Sequence, residues 1–229
     1  MATTTDLRGT VLSVVQEVED RMSYSISTTL SARRTTKIMR QWLNDVVADI
    51  SDFGDWPQLF TEVQVTAQTS VLTYEINASA PVKNIYEISF QGQRPAMWPR
   101  DHATIRQLQR TSSQGTPRQY AFVQTSGVNP KIGIDRMPGT SNNGKVFTAA
   151  VYLKPPVYTT ADATVIPPFS SRLLVTGVHA KALLDENGGA PTPQYQTEMI
   201  NFTRMLREEW NRSGADTGGG TDIVLVPRV

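Results

Sequence analysis

The chain contains no cysteine in its 229 residues. Disulfides and thiolate-bound zinc or iron–sulfur clusters are thereby excluded. No apolar run approaches the ~18 residues of a membrane-spanning helix, so no membrane partner is expected. The opening stretch MATTTDLRG lacks the basic and apolar regions of a signal peptide, and the expectation is a protein made and used without export. On that reading the sequons Asn77-Ala78-Ser79, Asn201-Phe202-Thr203 and Asn211-Arg212-Ser213 have no bearing on glycosylation. Histidine is scarce, with only His102 and His179. Neither Gly-x-Ser-x-Gly nor His-Glu-x-x-His occurs, so those hydrolase signatures are absent. Net charge is also nearly absent, at +1, which gives no whole-chain signal for nucleic acid or membrane.

The charge is unevenly spread. Residues 1–57 carry six Lys/Arg against eight Asp/Glu, residues 58–169 ten against six, and residues 170–229 six against seven, giving −2, +4 and −1. The middle is mildly basic and the ends mildly acidic.

The hydrophobic fraction of 39% suits a globular chain long enough to bury a core. Leu7, Val11, Val14, Val15, Val18 and Met22 share one helical face, with Thr5 as the expected N-cap. After the hydroxyl-rich SYSIST, a second helix is expected from about Ser31. It carries Ile38, Trp42, Val46 and Ile50 on one side and ends near Phe53-Gly54, with Gly54 as a left-handed C′ residue and Pro57 barring continuation. From Leu59 the periodicity becomes that of strands: TEVQVTA, VLTYEI, VKNIYEISF, PRQYAFV, KIGID and KVFTAAVYL. A short helix capped by Asp101 interrupts them. Pro167-Pro168 opens a third long helix that Asn187-Gly188-Gly189 stops. Thr192-Pro193 begins a fourth, with Tyr195, Met199, Phe202, Met205, Leu206 and Trp210 as its stripe. SGADTGGGTD then reads as a linker, followed by the apolar peptide IVLVPRV.

The expected fold is α+β: a four-helix bundle core with an inserted small antiparallel β barrel or sandwich and an extended C-terminal tail. Trp42, Ile38, Val46, Leu174, Val178, Phe202 and Met205 are the expected bundle core. The expected domains are 1–57 with 167–212 as the helical part, 58–166 as the β insert, and 213–229 as linker and anchoring peptide.

Several motifs tempt a chemical reading. Gly139 to Lys145 has the Gly-x4-Gly-Lys spacing of a phosphate-binding loop, but Val146 stands where a Ser or Thr must hold magnesium, and a strand follows instead of a helix. A solvated hairpin loop is expected. His102 and His179 each stand alone, without the acidic partners of a metal site. Glu17, Glu19 and Asp20, then Asp49, Asp52 and Asp55, then Glu208 and Glu209 could supply paired carboxylates for glycoside hydrolysis, but helix caps and solvated faces explain them. No catalytic residue, metal or cofactor is therefore expected. Arg94, Arg100, Arg106, Arg110 and Arg118 face only Asp101 in their segment, with Trp98 and Tyr120 nearby. That mixture of cations and aromatics suits a polyanion or a partner protein.

In order and spacing, DFGDWPQLF leading to VQVTAQTSVLTYEI, then VKNIYEISFQGQRP, GTPRQYAF with KIGIDRMP, and FTAAVYLKPP before IPPFSSRLLVTGVHAKALL resemble the head-to-tail adaptor (head completion) proteins of tailed bacteriophages, of the tail-tubular-protein-A type. The loop at Gly139 to Gly144 is longer than such proteins usually have. The resemblance implies a structural role at the head–tail junction of the virion, in a chain made in the host bacterial cytoplasm. It implies a ring of about twelve copies, with the portal protein, the tail tube or nozzle protein and the double-stranded DNA in the lumen as partners. It also implies that Ile223, Val224, Leu225, Val226 and Val229 grip the portal or the next copy. The alternatives from other classes are a cell-wall glycan hydrolase and a nucleic-acid-binding module.

Overall fold

The structure, a computed structural model, describes residues 9–91, 96–111, 114–124 and 129–213. Thr5, Leu7, Arg94 and the peptide Ile223 to Val229 lie outside the described residues. The fold is α+β. Its helices are α1 (Val11–Arg21), α2 (residues 33–53), α3 (His102–Thr111), α4 (Ser171–Glu186) and α5 (Pro193–Arg212). Its strands are β1 (Phe60–Thr66), β2 (Thr73–Glu75), β3 (Val82–Phe90), β4 (Trp98–Pro99), β5 (Gln119–Gln124), β6 (Lys131–Ile134) and β7 (Val146–Leu153). The chain divides into two compact units, one running up to Gln58 and resuming at Val157, the other Leu59–Pro156.

In the first unit each helix begins where its sequence supplies a cap. Thr10, extended, accepts from Ser13 N–H at 3.2 Å and so takes the capping place expected of Thr5. Ser170 caps α4, and Thr192 accepts from Tyr195 N–H at 3.2 Å with Pro193 following it in α5. α4 ends as expected on Gly188 and Gly189, both at positive φ (64° and 85°), with Gly189 N–H on Leu184 O.

α2 is continuous but not uniform. Its middle, Ile38–Leu43, winds as a π-helix between α-helical ends. Ile38 and Met39, then Trp42 and Leu43, all reach the interior, two residues to a turn where the expected stripe had one. Gly54 departs from expectation: its backbone is extended (φ −179°), not left-handed. The position excludes a side chain for a steric reason, since a Cβ there would lie 2.1 Å from the Trp210 ring. The carbonyl of Ile50 is instead capped by Trp56 Nε1 at 2.6 Å.

α4 is the hub. It packs against α1, α2 and α5, and it is buried on nearly every side. Gly177 makes the crossing possible, because a Cβ there would stand 2.7 Å from Val46 and 2.8 Å from Phe202. Three helices are thus laid on a central one, where the sequence led us to expect a four-helix bundle. Trp42, Ile38, Val46, Leu174, Val178 and Phe202 are buried as expected, while Met205 is half-buried beneath the Thr176 hydroxyl. Residues from Val157 onward are laced to these helices. Ala163 and Val165 carbonyls accept from the first N–H groups of α1, and the Asn44 amide exchanges two hydrogen bonds with the Tyr158 backbone (2.8 and 3.1 Å).

The second unit holds two sheets, β1-β7-β3 and β2-β6-β5-β4. Among the described residues they do not close into a barrel, which corrects one of the two expected forms. Pairing is antiparallel except for β4, a two-residue strand parallel to β5 that its proline hid from sequence reading. β7 lies centrally, pairing Ala149 with both Val63 and Ile88. Tyr74, Ile76, Ile85, Ile88, Phe90, Ile132, Ile134, Phe147 and Val151 form the core.

Candidate interaction surfaces

The basic segment is built around β4. Trp98 N–H donates to Arg118 O (2.9 Å) and Arg100 N–H to Tyr120 O (2.8 Å), so the chain entering β5 lies beside β4. Arg100 Nε then reaches Gln119 Oε1 at 3.1 Å. The structure thus brings Arg100 and Arg118 together. Asp101 follows and caps α3, accepting from Thr104 N–H at 2.8 Å and from its hydroxyl; those bonds hold its carboxyl below the usual range. Ile105 is buried under α3 and Gln109 donates to Ile134 O, so the helix lies on the sheet. Arg106 and Arg110, four residues apart, share its exposed side.

Several cations of the helical unit are paired: Arg34 with Glu19, Lys37 with Asp185, Lys181 with Asp49. Among the described residues Arg106, Arg110 and Arg118 make no ion pair. Trp98, bonded through its backbone to Arg118, is 60% exposed, whereas Tyr120, expected in the same surface, is buried in the core. Arg136 is a further cation that sequence distance concealed. It lies 3.7 Å from the buried Asp135, whose carboxylate also accepts from Arg118 and Gln119 N–H. Exposed guanidiniums with an aromatic ring can meet phosphates or carboxylates without first breaking an internal pair.

A second surface escaped the sequence reading. On the outer face of β1-β7-β3, Phe60 and Tyr152 stack edge-on at 5.3 Å, and Tyr86 meets Tyr152 at 6.4 Å. Phe60 and Tyr86 are 41% and 69% exposed. The only signal was alternation, Phe60 at the start of β1 and Tyr86 between the buried Ile85 and Ile88.

The residues that suggested chemistry serve the fold. Gly139 to Lys145 contains a 3-10 turn, and Asn142 is buried with its amide on Gly115 O (3.2 Å) and its carbonyl accepting from Lys145 Nζ (2.9 Å). Val146 opens β7, but the expected solvated hairpin loop is corrected: the segment carries the chain from β6 in one sheet to β7 in the other, which do not pair. Glu19 is a correction. It is fully buried, not on a solvated face, and it accepts from Ser27 N–H (2.7 Å) and hydroxyl (2.8 Å), pinning the loop after α1. Glu209 accepts from Ser170 N–H at 3.0 Å, and Glu208 pairs with Arg204 and Arg212. His179 is 5% exposed, with Nδ1 3.5 Å from Glu198 Oε1, too long for a good hydrogen bond. Among the described residues no cluster of three metal-ligating side chains exists, and no helix is long and apolar enough to cross a membrane.

The model of the SU10 adaptor protein family matches residues 9–224, and the chain belongs to that family. This agrees with the resemblance to phage head-to-tail adaptors carried by the sequence: the chain is a bacteriophage structural adaptor protein. A comparison with curated proteins gives no significant match.

Proposed function

We propose that this chain forms the ring-shaped head-to-tail adaptor of a tailed-phage virion. About twelve copies, related head to tail so that the ring closes, dock beneath the portal protein, extend the DNA channel and present the attachment surface for the tail tube or nozzle. The family match across both the helical and the β parts supports this reading. The helices of 1–57 and 167–212 act together as a bundle-like frame. The β insert of 58–166 carries contacts to partners, and 213–229 is the anchoring peptide that grips the portal or the next copy. Arg100, Arg106, Arg110 and Arg118, with Arg94 beside them in sequence, meet a polyanion or an acidic partner without reading base sequence. The role is structural, not enzymatic.

Electron microscopy of the purified protein mixed with portal rings tests it. The expected image is a second ring stacked coaxially on the portal. Portal rings that remain bare at saturating adaptor would overturn the reading, as would release of dye from labelled peptidoglycan by the purified chain.

A further inference from the structure

β1 is a terminal strand, paired on one side only, with β7. The register shows which of its backbone groups face outward. Ala67 N–H donates to Lys145 O (2.7 Å), so by alternation Val65, Val63 and Thr61 turn their backbone groups toward β7. Phe60, Glu62, Gln64 and Thr66 therefore aim N–H and C=O at the open edge. Among the described residues nothing bonds to that edge. It is seven residues long and straight in register, and Glu62 is its one charge. The opposite terminal strand, β3, is guarded: its register shifts twice, and Met97 N–H already occupies Ile88 O. A long, regular, weakly charged edge is a template for another strand.

We propose that residues Ile223 to Val229 of one copy add to this edge of β1 in a second copy as an antiparallel strand, with Arg228 opposite Glu62. The proposal rests on the ring-forming adaptor reading, which supplies each edge with a neighbour. The donor segment lies beyond Ser213, at the end of the sixteen remaining residues (229 − 213). The nine residues from Gly214 to Asp222 are small or polar and span about 15–18 Å as a coil. Four consecutive strand formers, Ile223-Val224-Leu225-Val226, come directly after them.

Pro227 sets the phase. In an added strand every second residue turns its N–H toward β1, and proline has none to offer. Pro227 must then point away, together with Ile223, Leu225 and Val229, leaving Val224, Val226 and Arg228 to bond with Thr66, Gln64 and Glu62. In that register Arg228 meets Glu62 across the strands. Leu225 falls beside Val65, and Pro227 beside the buried Val63, on the core side of the sheet. Pro227 on the new outer edge also stops the sheet from recruiting a further strand. Donation of a segment to a different surface of the next copy is heterologous, the kind of contact that closes rings.

The absence of cysteine makes the test clean. Opposed residues of a bonded antiparallel pair lie about 5.5 Å apart at Cα, within the disulfide range. Full-length Gln64→Cys and Val226→Cys proteins are mixed with portal rings under oxidising conditions and resolved on a non-reducing gel. The expected product is a disulfide dimer of one chain of each kind; the double variant gives a ladder of higher oligomers. Adding Glu62→Lys lowers the yield about threefold or more, and Arg228→Glu in the partner restores it. No dimer, or a double variant that closes on itself as a monomer, overturns the proposal. Co-sedimentation with portal is scored in the same samples. Binding to portal without the disulfide sinks the strand and leaves the adaptor reading standing; loss of portal binding by the unmodified protein sinks both.

Discussion

Trp56 meets Trp210 edge to face, with ring centroids 4.9 Å apart. The first residue follows α2 and the second closes α5, so 154 residues of sequence separate two rings in van der Waals contact. Phe169 at 5.3 Å from Trp56 and Phe53 at 5.5 Å from Trp210 complete the cluster. Trp56→Ala is expected to cost about 3–5 kcal/mol, since the ring is fully buried and its Nε1 caps α2. Urea unfolding checks the value. Gly54→Ala, which pushes a methyl into the Trp210 ring, is expected to cost about 1–3 kcal/mol and to cost less in a Trp210→Leu background.

Gly177→Ala tests the helix crossing. The added methyl meets Val46 and Phe202 at under 3 Å, so a loss of about 1–3 kcal/mol is expected. Val46→Ala in the same chain should recover part of it, because it opens space at that point. Equal losses in single and double variants would show that the crossing is not tight.

His179 makes stability depend on pH. Burial lowers its pKa below the ordinary 6.5, opposed by Glu198 on α5 and reinforced by Arg21 on α1. A base with a depressed folded pKa favours the neutral form in the fold. Its contribution is complete above about pH 6.5 and is lost as pH falls through 6.5 toward the lowered folded value. The melting temperature should therefore drop below pH 6.5, and His179→Gln should flatten that part of the profile. A wild-type curve that rises as pH falls from 6.5 to 5 would contradict the burial argument.

Arg106 and Arg110 test the basic surface. Both are exposed and make no ion pair among the described residues, so reversing them to Glu should leave the melting temperature within about 1 °C. Assembly into particles, or retention of packaged DNA, should fall. Normal infectivity from the double variant would remove these arginines from the contact surface.

Ending the chain at Arg212 separates fold from attachment. The helical signal and thermal transition should persist, because the last helical residue of α5 is Arg212 and its buried residues, Phe202 and Leu206, are retained, while stable binding to portal rings should be lost. Equal co-sedimentation of the short and full-length chains would show that the terminal peptide is not the anchor.

Much of this molecule was legible in short stretches. Thr192-Pro193, Ser170, Asp101 and Asn187-Gly188-Gly189 set helix ends because a cap needs only partners within four residues. The stripes of α1 and α5, and the alternation of β1, β3 and β7, follow from periods of 3.6 and 2 that any segment carries alone. What the sequence by itself determined is therefore the longer elements, their order and most of their inward faces. The tertiary structure decided the rest: that α4 is the hub, that Ile38–Leu43 widens to a π-helix, that Gly54 yields to Trp210, that Glu19 goes inside, and that β7 lies between β1 and β3. Each depends on which surfaces meet across tens to hundreds of residues. Contacts at that separation are chosen by packing volume and by the need to satisfy buried polar groups, and neither leaves a period to read.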